Sequence, residues 1–340
     1  MRSIFFVITS LLLQPFAQAN DAEHHAPNPS IKAKLASKSL LLDIEQINNT
    51  SLIAVGEYGH IINSSDGKNW QQANVPVQST LTSVFFLDES LGWAVGHDAT
   101  ILHTQDGGKN WQIQYYQPDM EKPLFDVVFK NAQEGVVVGA YGLMLRTLDG
   151  GVTWQSEFHQ EFLLADDIDY LNELKADDEE AYLDEIAFIL PHFNRLVADG
   201  RTMFLLGETG LLAKSNDFGK TWQQYNEIYQ GSFFDLGRTK TGNLLVAGLR
   251  GHIFRGTNNG TQWSEVNTNT TALLNDVVVT DENRIFVLGN SGMLLESVDD
   301  GKSYQVLAQK DGKSLVAGVW FKKQLVVASE VGIKVISFTE

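Results

Sequence analysis

This 340-residue chain has no cysteine. That excludes a disulfide framework, a thiolate zinc site and a lipid-bearing cysteine anchor. Positive charge is also scarce: 25 Lys and Arg stand against 42 Asp and Glu, for a net charge of −17. Such a chain is a poor ligand for nucleic acid and is repelled by anionic lipid surfaces. It suits cationic partners or divalent cations. Long apolar runs are missing as well. Outside the N-terminus nothing approaches the roughly 18 consecutive apolar residues of a membrane helix, so no direct membrane insertion is expected. What is present is 43% hydrophobic residues and 29 Gly, enough for a large core in one or two domains.

The N-terminus reads as an export signal. Arg2 gives a short positive start, residues 4–13 an apolar run too short to span a bilayer, and Ala17-Gln18-Ala19 a cleavage site before Asn20. A soluble, monomeric protein of a bacterial periplasm is the expectation. Residues 20–29 read as a flexible lead-in; His24 and His25 there offer metal ligands with nothing to fix their geometry.

The chain repeats. A glycine after a short apolar run recurs at Gly59, Gly142, Gly210, Gly251, Gly292 and Gly332, with Ala99 in the second unit; the spacings are 40, 43, 68, 41, 41 and 40. Trp70, Trp111, Trp154, Trp222, Trp263 and Tyr304 keep the same register. A period of about 40 residues with four short strands per unit is the signature of a β-propeller. Seven anchors predict an all-β, seven-bladed ring over residues 30–340. The long interval predicts an insertion between blades three and four. The last unit has three strands, so residues 30–38 are expected to supply its missing outer strand.

Between the third and fourth strands runs a turn sequence: SSDGKNW, TQDGGKNW, TLDGGVTW, SNDFGKTW, TNNGTQW and SVDDGKSY. The carboxylates of Asp66, Asp106, Asp149, Asp217 and Asp299 can accept backbone N–H groups of their own turns. Glycine takes the positive φ. The tryptophan opens the fourth strand and wedges between blades. A functional site is made once and a brace once per unit, so these Asp-box residues read as structural.

The recurring pattern, as in GAYGLMLRTLDGGVTW, resembles the photosystem II assembly and stability factor family and its non-photosynthetic bacterial relatives. The resemblance runs from about residue 40 to the C-terminus. It implies a seven-bladed propeller, no enzymatic activity, no cofactor, and a role in assembling or supporting a membrane protein complex from the exported side. Similar proteins of heterotrophic bacteria are associated with resistance–nodulation–division (RND) exporters, which makes such an exporter the first-guess partner. The chain departs from the photosystem factors in lacking a twin-arginine signal or lipid-bearing cysteine. Their basic patch has only scattered counterparts in Arg146, Arg238, Lys240, Arg250 and Arg255. This places the chain among periplasmic relatives outside photosynthesis.

The Asp-box motif also occurs in sialidases and xyloglucan-active glycosidases, so a glycan-binding or glycoside-hydrolysing propeller is the alternative. Against it, the Phe-Arg-Ile-Pro run of sialidases is absent, as are a G-x-S-x-G elbow, H-E-x-x-H and a phosphate loop. Asp43, Asp126, Asp235 and Asp276 recur in the first strand of four blades, where the others carry Ser83, Arg195 and Gly318. They are weak candidates for a cation site on the axis; bonding to backbone N–H groups at their own strand entries is the plainer reading.

Turns between second and third strands share one face with the insertion, opposite the Asp-box turns. That face is where partners are expected, through Tyr58, His97, Tyr141, Glu208 and Arg250. The insertion, residues 157–190, holds twelve acidic residues and one Lys. Phe162, Leu163, Ile168, Leu171 and Leu174, then Tyr182, Ile186 and Ile189, fit helical stripes, and Pro191 ends the run. Two amphipathic helices joined near residues 176–178 are predicted. Asp166, Asp167, Asp177, Asp178, Glu179, Glu180 and Tyr182 are candidates for steering a basic partner; the alternative is a merely solvated face.

Overall fold

A computed structural model describes residues 26–338. The predicted signal peptide, its cleavage site, His24 and His25 lie outside the described residues. Seven antiparallel sheets stand around one axis, six of four strands and one of three. Their inner strands, A, are Leu41–Asn48, Leu81–Phe86, Leu124–Phe129, Phe193–Asp199, Phe233–Arg238, Leu274–Val279 and Leu315–Phe321. Each packs on the next, and the seventh packs on the first, closing the ring. The second strands, such as Gly135–Gly139 and Leu244–Gly248, are buried along their whole length. They lie between two neighbouring blades, which is why they read as continuous apolar runs rather than alternating ones.

All seven blades carry one irregularity at the same place. The pairing of strands A and B slips by one residue at the second position of A, between Leu41 and Asp43 in blade one and between Leu81 and Ser83 in blade two. The same slip recurs in the other five. A bulge re-aims the extra side chain. The extra residues are Leu42, Thr82, Phe125, Asn194, Phe234, Asn275 and Val316, one per blade, and they line the mouth of the central channel. The residue after each bulge occupies the inner aspartate position. In blade seven the register puts Ala317, not Gly318, there.

The Asp-box turns are built as the spacing predicts. In blade four the Asp217 carboxylate accepts from Ser215 Oγ at 2.7 Å, Thr221 Oγ1 at 2.7 Å, and the N–H groups of Lys220 and Thr221 at 3.1 and 3.0 Å. Ser215 Oγ in turn accepts from Gly219 N–H. Against the cost of burial, hydrogen bonds from Ser215 and Thr221 hold the Asp217 carboxyl down to about 2. Each turn is also gripped by the preceding blade. Asn63 donates to Gly108 O, Gln114 to Gly150 O, Arg146 to Phe218 O, Tyr225 to Asn259 O, Arg255 to Asp300 and Lys322 to Ser65 O. The tryptophans fill the gaps between blades; Trp70, for example, packs with Phe321 and Val326 of blade seven.

Closure differs from the expectation. Residues 30–38 do not form an outer strand on blade seven, whose sheet ends at Gly332–Ser337. Ser30 N–H bonds Val75 O, Lys32 Nζ bonds the carbonyls of Gln72 and Ala73, and Ala33 N–H bonds Gln72 Oε1. The polar groups of this segment find partners on blade one, so the chain runs there. Pro29, assigned to the flexible lead-in, is held by Gln78. The first and last blades join instead through a shared core that includes Leu41, Ile44, Ala317, Phe321 and Val326.

Candidate docking face

The channel mouth is a cavity of about 380 Å³. The inner carboxylates below it are engaged. Asp43 accepts from Ile44 N–H and Val84 N–H; Asp126 from Val127 N–H and Leu196 N–H; Asp276 from Val277 N–H and Gly318 N–H. Asp235 Oδ2 accepts from Val277 N–H. Three of these aspartates thus bond their own strand and all four bond the next blade. The reading from sequence had only the local half. Ser83 Oγ bridges Asp43 and Asp126. Arg195 Nε lies 3.6 Å from Asp126 and 3.4 Å from Asp235. Burial raises the carboxyls of Asp126 and, more strongly, Asp276, where the neighbouring Asp235 adds to the effect. Asp126 beside it raises the Arg195 guanidinium. Seven of these eight carboxylate oxygens accept a hydrogen bond and the eighth, Asp235 Oδ1, faces Arg195; among the described residues no group of three or more His, Asp or Glu is placed to hold a metal. The inner ring is a set of inter-blade staples.

The turns between strands B and C open on the same face as the mouth. In six blades two successive residues are left-handed: Tyr58-Gly59, Asp98-Ala99, Tyr141-Gly142, Thr209-Gly210, Arg250-Gly251 and Ser291-Gly292. Glu57 O accepts from His60 N–H across the first, so these are type I′ turns. Glycine suits the second position; Cβ atoms at Gly59 and Gly251 would strike the carbonyls of Val77 and Thr270. The first position favours Asn or Gly, yet three of the six carry Tyr58, Tyr141 and Arg250, each at φ between 54° and 58°. Bulky side chains held there cost of order 1 kcal/mol each, an outlier of the kind that marks functional surfaces. Tyr58 is 62% and Tyr141 40% exposed.

The insertion stands on this face. It leaves strand D of blade three, Gln155–Glu157, and forms helices α1, Ala165–Asp177, and α2, Glu179–Ile186. Asp178 joins them and caps α2 through Ala181 N–H. Two helices with a junction inside residues 176–178 match the expectation. Leu171 is buried and Ile168, Leu174, Tyr182 and Ile186 are half-buried, so the stripes face inward. Both feet are anchored. At one, Phe162 packs on Phe193 at 5.3 Å and near Trp222, and Gln224 donates to Glu161 O. At the other, Leu190 is buried against Gly142, Lys122 Nζ donates to Ala187 O, and the same Nζ sits 4.7 Å over Phe188. Tyr141 meets Phe188 edge-on at 5.2 Å and His192 at 4.6 Å. A turn tip and the insertion therefore form one aromatic ledge.

The chain matches the family model of the photosynthesis system II assembly factor YCF48 over residues 22–117, 62–157 and 114–263. The chain belongs to this family. It is 28% identical over 236 residues to the photosystem II assembly protein Ycf48 of Thermosynechococcus vestitus, covering 69% of this chain and 61% of that one. The chain thus spans about three-fifths of the length of that relative. Among solved structures, YCF48 bound to a D1 peptide is similar at a TM-score of 0.68 and 19% identity, over 93% of this chain and 100% of that one. A virginiamycin B lyase from Staphylococcus aureus is similar at 0.69 and 8%, over 89% and 96%. Those likenesses show the fold, and the fold alone is shared with an enzyme.

The candidate residues separate accordingly. Tyr141 joins the insertion, and Asp166, Asp167, Asp177, Glu179 and Glu180 lie on it, but Tyr58, His97 and Arg250 sit on other blades. Glu208 is turned toward His192 at the foot of the insertion. Arg146 is buried against Glu157, Arg255 pairs with Asp300, Arg238 with Asp199, and Lys240 with Asp281. They make no basic patch. Leu183 and Phe188, 56% and 59% exposed, were missed from sequence because a helical stripe predicts which residues hide, not which apolar ones stay out. No described helix is long and apolar enough to cross a membrane.

Proposed function

We propose that this YCF48-like propeller is a non-catalytic assembly or accessory factor. It acts in the periplasm on a membrane protein complex, with an RND-type exporter as the first candidate partner. The observation that carries the reading is the anchored insertion. It presents Leu183, Phe188 and Tyr141 to solvent beside a band of unpaired carboxylates, on the face where strained turn tips also project. An apolar ledge rimmed by charge is the make-up of a protein interface. The peptide-bound relative supports a polypeptide as the class of ligand. The engaged carboxylates of the channel mouth favour this over glycoside hydrolysis, which needs a free pair. The test is photo-crosslinking in cells from Leu183, with Val152 on the Asp-box face as the control. A single membrane protein captured from Leu183 and not from Val152 is expected. No adduct from Leu183, together with cleavage of a glycan, would replace the reading with the hydrolase.

A further inference from the structure

The mouth of the central channel has apolar walls and a charged floor. Four of the seven bulge residues around it, Leu42, Phe125, Phe234 and Val316, are apolar and half-buried. A cavity of about 380 Å³, mostly apolar with a few placed polar groups, has the make-up of a ligand pocket.

The polar groups are sorted into acceptors above and donors below. On the rim, the donors of the other three bulge residues are already engaged. Thr82 Oγ1 donates to Leu124 O at 2.7 Å, Asn194 Nδ2 to Phe233 O at 2.9 Å and Asn275 Nδ2 to Leu315 O at 2.7 Å. Among the described residues nothing donates to Asn194 Oδ1 or Asn275 Oδ1, so the rim offers acceptors. Arg195 lines the floor and is 33% exposed. Its Nε faces Asp126 and Asp235 and is buried without a hydrogen bond. Its two Nη groups bond nothing among the described residues either, and they are not buried. They open on the cavity as four N–H donors.

Charge narrows the ligand. One guanidinium stands among Asp43, Asp126, Asp235 and Asp276. A carboxylate placed on Arg195 is repelled by the aspartates behind it, and an ammonium is repelled by Arg195 itself. An uncharged group fits: an apolar body for the walls, an acceptor at its tip for Arg195, and N–H donors at its outer end for the two Asn oxygens.

The mouth is also continuous with the aromatic ledge. Phe125 lies 5.8 Å from His192, His192 4.6 Å from Tyr141, and Tyr141 5.2 Å from Phe188. A polypeptide lying on the ledge reaches the mouth along this path.

The geometry points to the mouth as a socket for one tyrosine side chain of the partner polypeptide. The ring packs among Leu42, Phe125, Phe234 and Val316, the phenol oxygen accepts from Arg195, and flanking backbone N–H groups bond the Asn oxygens. The socket rests on the polypeptide reading proposed above and supplies its anchor.

The test is NMR titration of the purified protein with capped pentapeptides Gly-Ser-X-Ser-Gly, where X is Tyr, Phe, Glu or Lys. The tyrosine peptide should bind about 5-fold tighter than the phenylalanine peptide, the worth of one hydrogen bond. It should bind at least ~10-fold tighter than the two charged ones. Val316→Trp, which fills the mouth from a half-buried position, should keep the thermal midpoint and abolish binding. Arg195→Met should erase the preference for tyrosine over phenylalanine; if that variant does not fold, Val316→Trp carries the test. Equal affinity for all four peptides, tightest binding of the glutamate peptide, or binding untouched by Val316→Trp would each overturn the proposal. So would p-cresol binding as tightly as the tyrosine peptide, which would make a free phenol the occupant. A membrane protein captured from Leu183 while no peptide binds the mouth removes the socket and leaves the assembly role. Tyrosine-selective binding at the mouth with no adduct from Leu183 keeps the socket and removes that role.

Discussion

Asp217 on the ring and Asp184 on the insertion are both exposed carboxylates in short polar sequences. Asp217 accepts four hydrogen bonds from its own turn. Asp184 accepts none among the described residues, and neither do the side chains of Asp166, Asp167, Asp169, Glu173, Asp177, Glu179 or Glu180. The contrast extends inward: all four inner-ring aspartates are spent on N–H groups of the next blade. Carboxylates that recur from blade to blade hold the ring together. Those that occur only in the insertion have electrostatic capacity to spare. Repetition separates brace from contact surface more sharply than residue type or exposure does.

Removing one inner staple should give the largest effect. Asp126→Ala strands the Leu196 N–H and takes one carboxylate from Arg195, so a loss of about 3–5 kcal/mol is expected in chemical denaturation. Trp222→Ala, which opens the seam between blades three and four, should cost a similar about 3–5 kcal/mol. A rim substitution such as Asp217→Ala should cost only about 1 kcal/mol, because its bonds face solvent and water replaces them.

The two rings should also respond to pH with opposite sign. Asp149, Asp217 and Asp299 are held down to about 2. Their stabilisation is complete above the unfolded carboxylate value of about 3.9 and fades as pH falls toward 2. Asp276 is raised by burial and by Asp235. The fold binds its proton more tightly than the unfolded chain does, so its contribution is best in acid and weakens as pH rises through the raised value. Denaturation midpoints between pH 2 and 8 should lose their acid-side slope in rim Asp→Asn variants and their upper decline in Asp276→Asn. Identical slopes in both variants would erase the distinction between the rings.

The seven blades, the Asp-box bonding and the two helices were legible in the sequence because each is local and most recur. A spacing of 40 to 43 residues reports the same strands and turns in succession. Three features were not legible. Closure was missed because residues 30–38 have no repeat to align with, and their partners Gln72 and Val75 are chosen only in space. The crossing bonds of Asp126 and Asp235 were missed because a carboxylate beside its own N–H groups does not reveal a second partner dozens of residues away. The uniform bulge was missed because one unpaired residue per blade leaves the period intact, so the seven side chains at the mouth could not be told from their neighbours.

The smallest expected effect on stability is the most informative. Residues 165–186 are replaced by a short Gly-Ser linker, keeping Phe162 and Leu190, whose packing anchors both feet. Thermal midpoint and recovery of the crosslinked membrane protein are then measured on the same variant. The account predicts a midpoint within a few degrees of the parent and complete loss of the partner. A ring that melts without the helices, or a partner retained without them, would contradict it.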